Sequence, residues 1–177
     1  MKKIAFAVLG FFALCIGAIL ALAAFKPDTT TVTRSRVLRA DQATIKPHLT
    51  DMKKWVAWSP WAERDPNVQW TFSDQTEGKG AWYEWAGNDD VGKGRMDVTE
   101  VTDTEVRYAL AFKEPFESSA TVVLAMAAAD EGTKVSWTMD SENNFASKVF
   151  MVFADFDAMI GADFELGLGN LAKRVEG

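Results

Sequence analysis

Residues 106–140 read VRYALAFKEPFESSATVVLAMAAADEGTKVSWTMD, and the period of this stretch decides the fold class. Val106, Tyr108, Leu110 and Phe112 alternate with Arg107, Ala109 and Ala111. Val122, Leu124 and Met126 repeat the pattern, Asp130-Glu131-Gly132 supplies a hairpin turn, and Val135, Trp137 and Met139 resume it. A period of two with one apolar face specifies antiparallel strands joined by tight turns. Reading backward, Met96 and Val98 continue the alternation, as do Trp82-Tyr83-Glu84-Trp85 and the set Val68, Trp70 and Phe72. A first strand over 31–39 alternates β-branched or apolar residues with charged ones. The expectation is a single meandering antiparallel sheet of seven strands.

Helical signals flank that sheet. Between strand one and the meander, residues 40–51 are loosely helical, with Asp41 as N-cap and Pro47 as a kink or break. A second short helix is expected over 52–57, followed by a loop punctuated by Ser59-Pro60 and Asp65-Pro66. At the other end, residues 147–175 contain no proline, and Val149, Phe150, Phe153, Phe156, Ile160, Phe164, Leu168 and Leu171 recur at three- and four-residue spacing. This predicts a long closing helix with an apolar stripe. Gly161, Gly167 and Gly169 each cost about 1 kcal/mol of helix stability against Ala, so they predict a bend or a close packing contact.

The first 25 residues are a different material. After Met1-Lys2-Lys3 no charged or strongly polar side chain occurs from Ile4 to Phe25. A helix of that length rises roughly 33 Å, enough for the hydrocarbon core of a bilayer. A cleaved signal ending at Ala21-Leu22-Ala23 is the alternative, although its apolar region is normally about 7–15 residues. Lys2 and Lys3 place the N-terminus in the cytoplasm by the positive-inside rule. The expected organisation is an anchor over 1–25, a linker over 26–30 and one domain over 31–177. The expected location is the bacterial inner (cytoplasmic) membrane, single pass, with the domain on the periplasmic side.

Composition removes several function classes. The formal net charge of −6 argues against sequence-independent nucleic-acid binding, which needs clustered Lys and Arg. One cysteine, Cys15, excludes an intrachain disulfide, and one histidine, His48, excludes a His-rich metal centre. The chain is rich in aromatics, with seven Trp, twelve Phe and two Tyr. A single long helix is narrower than a curved seven-stranded sheet, so an apolar space is expected between them, with Trp55, Trp58 and Trp61 at its mouth. The aromatics read equally well as plain core.

The residues Thr33-Arg34-Ser35, Trp55-x-x-Trp58-Ser59-Pro60-Trp61 and Asp65-Pro66 carry a family resemblance. So do Gly78-x-Gly80-Ala81-x-Tyr83-x-Trp85-x-Gly87-Asn88 and Val91-Gly92-x-Gly94-x-Met96. The run Asp157-x-Met159-Ile160-Gly161-x-Asp163-Phe164-Glu165-x-Gly167-Leu168 completes it. Together, over about residues 32–173, the chain resembles membrane-anchored bacterial members of the SRPBCC (START/Bet v 1-like) superfamily of polyketide cyclase/dehydrase-like proteins. The resemblance implies an α+β helix-grip fold, with the sheet curved around the C-terminal helix, and hydrophobic small-molecule or lipid ligands. It implies no single reaction and no cofactor. No catalytic motif maps onto these positions, and the Ala40-Asp41-Gln42 opening departs from the frequent Ala-Pro-Pro of that branch.

The candidate ligand-binding residues are Trp55, Trp58, Trp61, Trp82, Tyr83, Glu84, Trp85, Met96, Phe153 and Met159. Acid–base chemistry would need ionisable groups inside the cavity, and Glu84 with Tyr83 or Arg95 are the nominees, against a reading in which Glu84, Arg95 and Asp97 face solvent. Asp155, Asp157, Asp163 and Glu165 scatter around a helix and read as a solvated face, not a metal site. His48 reads as a surface residue, and a Ser59–His48 hydrolase lacks support. Three readings follow. One is a membrane-anchored binding or transfer module for a hydrophobic small molecule or lipid. Another is a protein-interaction domain with a packed interior that docks through an exposed Trp55/Trp58/Trp61 loop. The third is a cyclase-like enzyme acting on an aromatic or polyketide-like substrate.

Overall fold

The computed structural model describes residues 2–114 and 117–177, with the side chains of residues 1–5, 7 and 8 outside that description. Its elements in chain order are α1 (Lys2–Ala24), β1 (Thr29–Leu38), α2 (Gln42–Thr50), α3 (Met52–Val56) and α4 (Pro60–Arg64). Then come β2 (Gln69–Phe72), β3 (Trp82–Ala86), β4 (Lys93–Val101), β5 (Glu105–Glu114), β6 (Ser118–Ala129) and β7 (Gly132–Glu142). Two helices, α5 (Phe145–Phe153) and α6 (Phe156–Val175), close the chain.

The seven strands form one antiparallel sheet in the order β1-β7-β6-β5-β4-β3-β2. The meander puts sequence neighbours side by side, and β1 closes the far edge by pairing with β7 from Thr29↔Glu142 to Leu38↔Thr133. Register shifts at Lys93/Gly94 and Val98/Glu100 interrupt the β4–β5 ladder, the kind of irregularity that bends a strand and deepens a sheet's curvature. The core lies on the concave face, where Tyr83, Trp85, Met96, Val98, Tyr108, Leu124 and Trp137 meet Phe164, Leu168 and Leu171 of α6. At Gly94 a side chain would overlap the Trp85 ring and the Ala111 carbonyl, so glycine is what lets that ring lie across β4.

The helical segment after β1 follows the capping logic of its sequence. The Asp41 carboxylate accepts from the Thr44 N–H at 2.8 Å and starts α2, and Pro47 sits inside that helix without ending it. Asp51 is extended, and its carboxylate accepts from Lys53 N–H at 2.9 Å to start α3. The Ser59-Pro60 punctuation, expected as loop, opens the short α4 with proline in its first turn.

The long closing helix is two helices. Ala154 is extended (φ −130, ψ 142), and the Asp155 side chain accepts from Ala158 N–H at 3.0 Å, so the chain restarts with a fresh N-cap. The bend therefore falls at an aspartate. The glycines mark close approaches instead: the Arg34 guanidinium lies over Gly161, and a Cβ at Gly167 would stand 2.8 Å from the Trp137 ring and 3.1 Å from Pro60. The α1 helix runs alongside α5. Among the described residues no helix is long and apolar enough to cross a membrane. The segment expected as an anchor includes residues 1–5, 7 and 8, which lie outside the described side chains.

Candidate functional site

Two groups of aromatic residues meet on the concave face. In the first, α3 and the turn after it deliver Trp55 and Trp58 into the interior, each only 1% exposed. Trp55 packs on Trp58 (ring centroids 4.3 Å), Tyr108 (5.0 Å) and Trp137 (5.3 Å). Trp137 is stacked nearly parallel on Phe164 of α6 at 4.3 Å, with Trp61 at 5.9 Å on its edge. Edge and stacked pairs of this kind add to area burial, and here they fill the space beneath α6.

This corrects two expectations. The terminal helix does not face the sheet alone, because α3, α4 and the turn between them supply Trp55, Trp61 and Trp58 to the interior. Two depressions, of about 530 and 300 Å³, open at the surface. They are lined by residues 39–41 with 131–132, and by α2 with Glu77, Gly78 and Val101. Trp55 and Trp58 are also not an exposed docking loop: both are core, and only Trp61 is partly open.

The second group forms a shelf across β2, β3 and β5. Trp70 sits opposite Trp85, and Phe72 opposite Tyr83, in the β2–β3 register. Trp70 reaches Tyr83 at 5.4 Å, Tyr83 reaches Trp85 at 5.9 Å, and Trp85 meets Phe112 at 5.6 Å. Tyr83, Trp85 and Met96 are buried, while Trp70, Phe72 and Phe112 remain half-buried. The cause is the position of α6, whose strand contacts fall chiefly on β1, at the opposite edge of the sheet. Sequence reasoning placed Tyr83, Trp85 and Met96 in the site but not Trp70, Phe72 or Phe112. Their own alternation was legible, yet only the strand register shows that they extend the same wall.

Polar groups in this interior are few. The Tyr108 hydroxyl donates to the Leu49 carbonyl at 2.7 Å, Trp58 Nε1–H to the His48 carbonyl at 3.0 Å, and Trp85 Nε1–H to the Val91 carbonyl at 3.1 Å. Trp55 Nε1 faces the Tyr83 hydroxyl without reaching hydrogen-bond geometry. It joins Trp137 Nε1, Ser59 Oγ and His48 Nδ1 as buried polar atoms without a partner. Such atoms are costly in an apolar interior and uncommon. Burial raises the Tyr83 and Tyr108 phenols far above the ordinary range, so both are neutral at any working pH. His48 is half-buried, not a plain surface residue, and desolvation, then Lys54 and Arg174, hold its pKa down.

The remaining nominees lie elsewhere. Trp82 and Glu84 alternate onto the convex face. There the Arg95 guanidinium covers the Trp82 ring at 4.1 Å and pairs with Asp97 at 2.6 Å. Glu84 accepts from Lys113 Nζ at 3.0 Å and lies 3.7 Å from Arg95. The alternation that buries Tyr83 and Trp85 sends Glu84 the other way, so Glu84 and Arg95 do not enter the concave interior. Phe153, at the end of α5, and Met159, in the first turn of α6, are both exposed, so neither lines the concave interior. Among the acids of the last helix, Asp157 and Glu165 flank Arg34 at 2.8 and 3.2 Å, and Asp163 pairs with Arg64. Among the described residues no cluster of three or more His, Cys, Asp or Glu is placed to hold a metal ion.

Residues 29–176 match the model of a family described as "Polyketide cyclase / dehydrase and lipid transport". The fold is similar to that of protein CV1439 from Chromobacterium violaceum. That match has a TM-score of 0.61 and 16% identity, over 83% of this chain and 97% of that one. It is also similar to DynU16, a protein in the dynemicin biosynthetic locus (TM-score 0.57, 15% identity, 85% of this chain and 48% of that one). A further likeness is to the Aha1 dimer from Colwellia psychrerythraea (TM-score 0.58, 16% identity, 83% of this chain and 96% of that one). No match was found among curated proteins.

Proposed function

The chain belongs to the polyketide cyclase/dehydrase and lipid transport family, and on that premise we propose that it is a membrane-anchored binding or transfer module for a hydrophobic small molecule or lipid. The observation that carries this reading is the aromatic shelf: α6 lies toward the β1 edge, and Trp70, Phe72 and Phe112 stay half-buried at the other end of the concave face. An apolar wall with very few polar groups is the usual lining of a site for an apolar ligand. The unpartnered Trp55 and Trp137 indole N–H groups add hydrogen-bond donors suited to a carbonyl or carboxylate at one end of such a ligand. Entry requires the half-buried aromatics to swing outward, since the interior beneath α6 is filled. The anchor is residues 1–25, with Lys2 and Lys3 on the cytoplasmic side and the domain outside the bacterial inner membrane.

The test is binding by the full chain in detergent micelles. All seven tryptophans lie at or beyond residue 55, so their emission reports on the domain and not on the anchor. A brominated fatty acid is expected to quench that emission saturably, and Phe112→Asp to weaken the effect at least tenfold. Native mass spectrometry is expected to find a co-purifying lipid. Quenching that rises linearly without saturation, together with no co-purifying molecule, overturns the reading.

A further inference from the structure

Helix α5 is apolar on the wrong side. Its sequence is FASKVFMVF, without an acidic residue, and Met151 is its buried contact with the fold. Phe145, Phe150 and Phe153 point outward, exposed by 54%, 48% and 70%. At 100° per residue these three fall within one face of about 140°, shared with Ala146 and Val149. The polar residues Ser147 and Lys148 lie off that face and are partly covered. A soluble helix shows the reverse arrangement.

The patch is not scattered over the molecule. Among the described residues, all the exposed large apolar side chains but Val37, Met159 and Leu166 belong to α5 or to the run from Phe6 to Phe25. The two runs are adjacent, since α5 packs alongside α1. Along α1 the less exposed positions are Cys15, Ile19 and Ala23, at four-residue spacing and so on one face. Polar ties fix the junction: Lys148 pairs with Asp28 at 2.5 Å, Asn143 Nδ2 donates to the Pro27 carbonyl at 3.0 Å, and Thr30 Oγ1 reaches Met151 Sδ at 3.8 Å. The ion pair neutralises Lys148, the one charged side chain of α5. The exposed apolar side chains of α1 and those of α5 therefore stand on adjoining helices.

We infer that α5 is a second membrane-contacting element, an interfacial helix whose Phe145, Phe150 and Phe153 enter the headgroup–acyl boundary of the bilayer that receives α1. The inference rests on the anchor reading above and extends it. A helix in this position buries its apolar face about 5–10 Å into the boundary. The domain is then held at a fixed orientation, not tethered by a flexible linker. The start of β1 and the end of β7 face the lipid, and the β6–β7 turn at Asp130-Glu131 points away at the far end of β7. A bilayer explains the exposed phenylalanines better than a soluble partner does, because the helix that carries them packs beside the segment expected to enter the membrane.

The experiment uses the full chain reconstituted in phosphatidylcholine vesicles, labelled at a single cysteine with an environment-sensitive nitrobenzoxadiazole dye. Cys15 of the natural chain reports on α1, Phe153→Cys in a Cys15→Ser background reports on α5, and Asp130→Cys in the same background is the distal control. Phe150→Cys serves as a second α5 site. The expected result is blue-shifted emission at Cys15, quenched by lipids brominated deep in the acyl chain, and blue-shifted emission at both α5 sites, quenched by lipids brominated near the headgroup end, with neither effect at the Asp130 site. If Cys15 is quenched while both α5 sites emit as in water, the anchor stands and the inference falls. If the α5 sites are blue-shifted but unquenched by brominated lipid, protein covers them and the inference falls. If Cys15 itself is unquenched, the anchor reading falls with it.

Discussion

The interior beneath α6 and the outward face of α5 are both built from aromatic side chains, yet their surroundings are opposite. Trp137 has neighbours on every side, stacked on Phe164 and edged by Trp55, Trp58 and Trp61. Among the described residues none of the phenylalanines of α5 forms an aromatic pair. The comparison teaches that aromatic content is not an index of a cavity. In the first region the rings satisfy one another, and in the second they stand exposed. Between them lies the shelf of Trp70, Phe72 and Phe112, half satisfied, and for that reason the most adaptable of the three.

The sharpest way to break the comparison is to truncate one residue from each region. Trp137→Ala removes the hub of the interior and is expected to cost about 3–5 kcal/mol, a large share of the roughly 5–15 kcal/mol by which a folded domain is stable. Phe153→Ala in the same micelles is expected to stay within about 0.5 kcal/mol, as surface substitutions do. Urea titration of both full-length variants in mild detergent, followed by tryptophan emission, measures the pair. Equal losses would mean that α5 is packed as core and that the two regions are not different.

A second substitution tests how closely the shelf is fitted to the sheet. Gly94→Ala forces a methyl into the Trp85 ring and the Ala111 carbonyl, neither of which is the free end of a flexible chain. Overpacking of this kind costs about 1–3 kcal/mol. The Trp85 ring is expected to tilt toward Phe112, so the variant should lose ligand quenching more than stability. Retained quenching at wild-type strength would show that the shelf is not the binding wall.

Much of this was legible in the sequence, and the limits have physical causes. Alternation placed all seven strands, because a half-buried antiparallel sheet writes its face into every second residue. The aspartates at 41, 51 and 155 all cap helices, but only Asp41 was read as one. Asp155 lies inside an apolar repeat that continues across it, so periodicity hid the break that the carboxylate creates. The site was legible in part. Tyr83, Trp85 and Met96 share the concave face, whereas Trp82 and Glu84 were nominated with their neighbours although alternation itself assigns them to the other side. Trp55 and Trp58 were recognised as a cluster but assigned to a rim. Whether a loop tryptophan turns inward depends on the helices around it, and no local pattern records that.

One helix carries the finest form of the contrast between interior and surface. Asp163 and Asp157 lie less than two turns apart on α6, and their environments push them in opposite directions. Burial raises the Asp163 pKa, and the Arg64 guanidinium offsets this only in part. The hydrogen bond from Arg34 lowers that of Asp157. The signs for stability then differ. A raised carboxylate favours folding below its unfolded value of 3.8, and that contribution is lost as pH rises through the folded pKa. A lowered one favours folding above 3.8, and its contribution is lost as pH falls through the folded pKa. Asp163→Asn should therefore gain stability relative to the natural chain between pH 4 and 7, while Asp157→Asn should lose it over the same range, each by a small amount. Carboxyl titration by NMR, with Asp163 above and Asp157 below the ordinary aspartate value, checks both at once. Matching titrations would mean that water reaches the Trp61 side of α6 as freely as its outer face, and the interior beneath α6 would no longer count as closely packed.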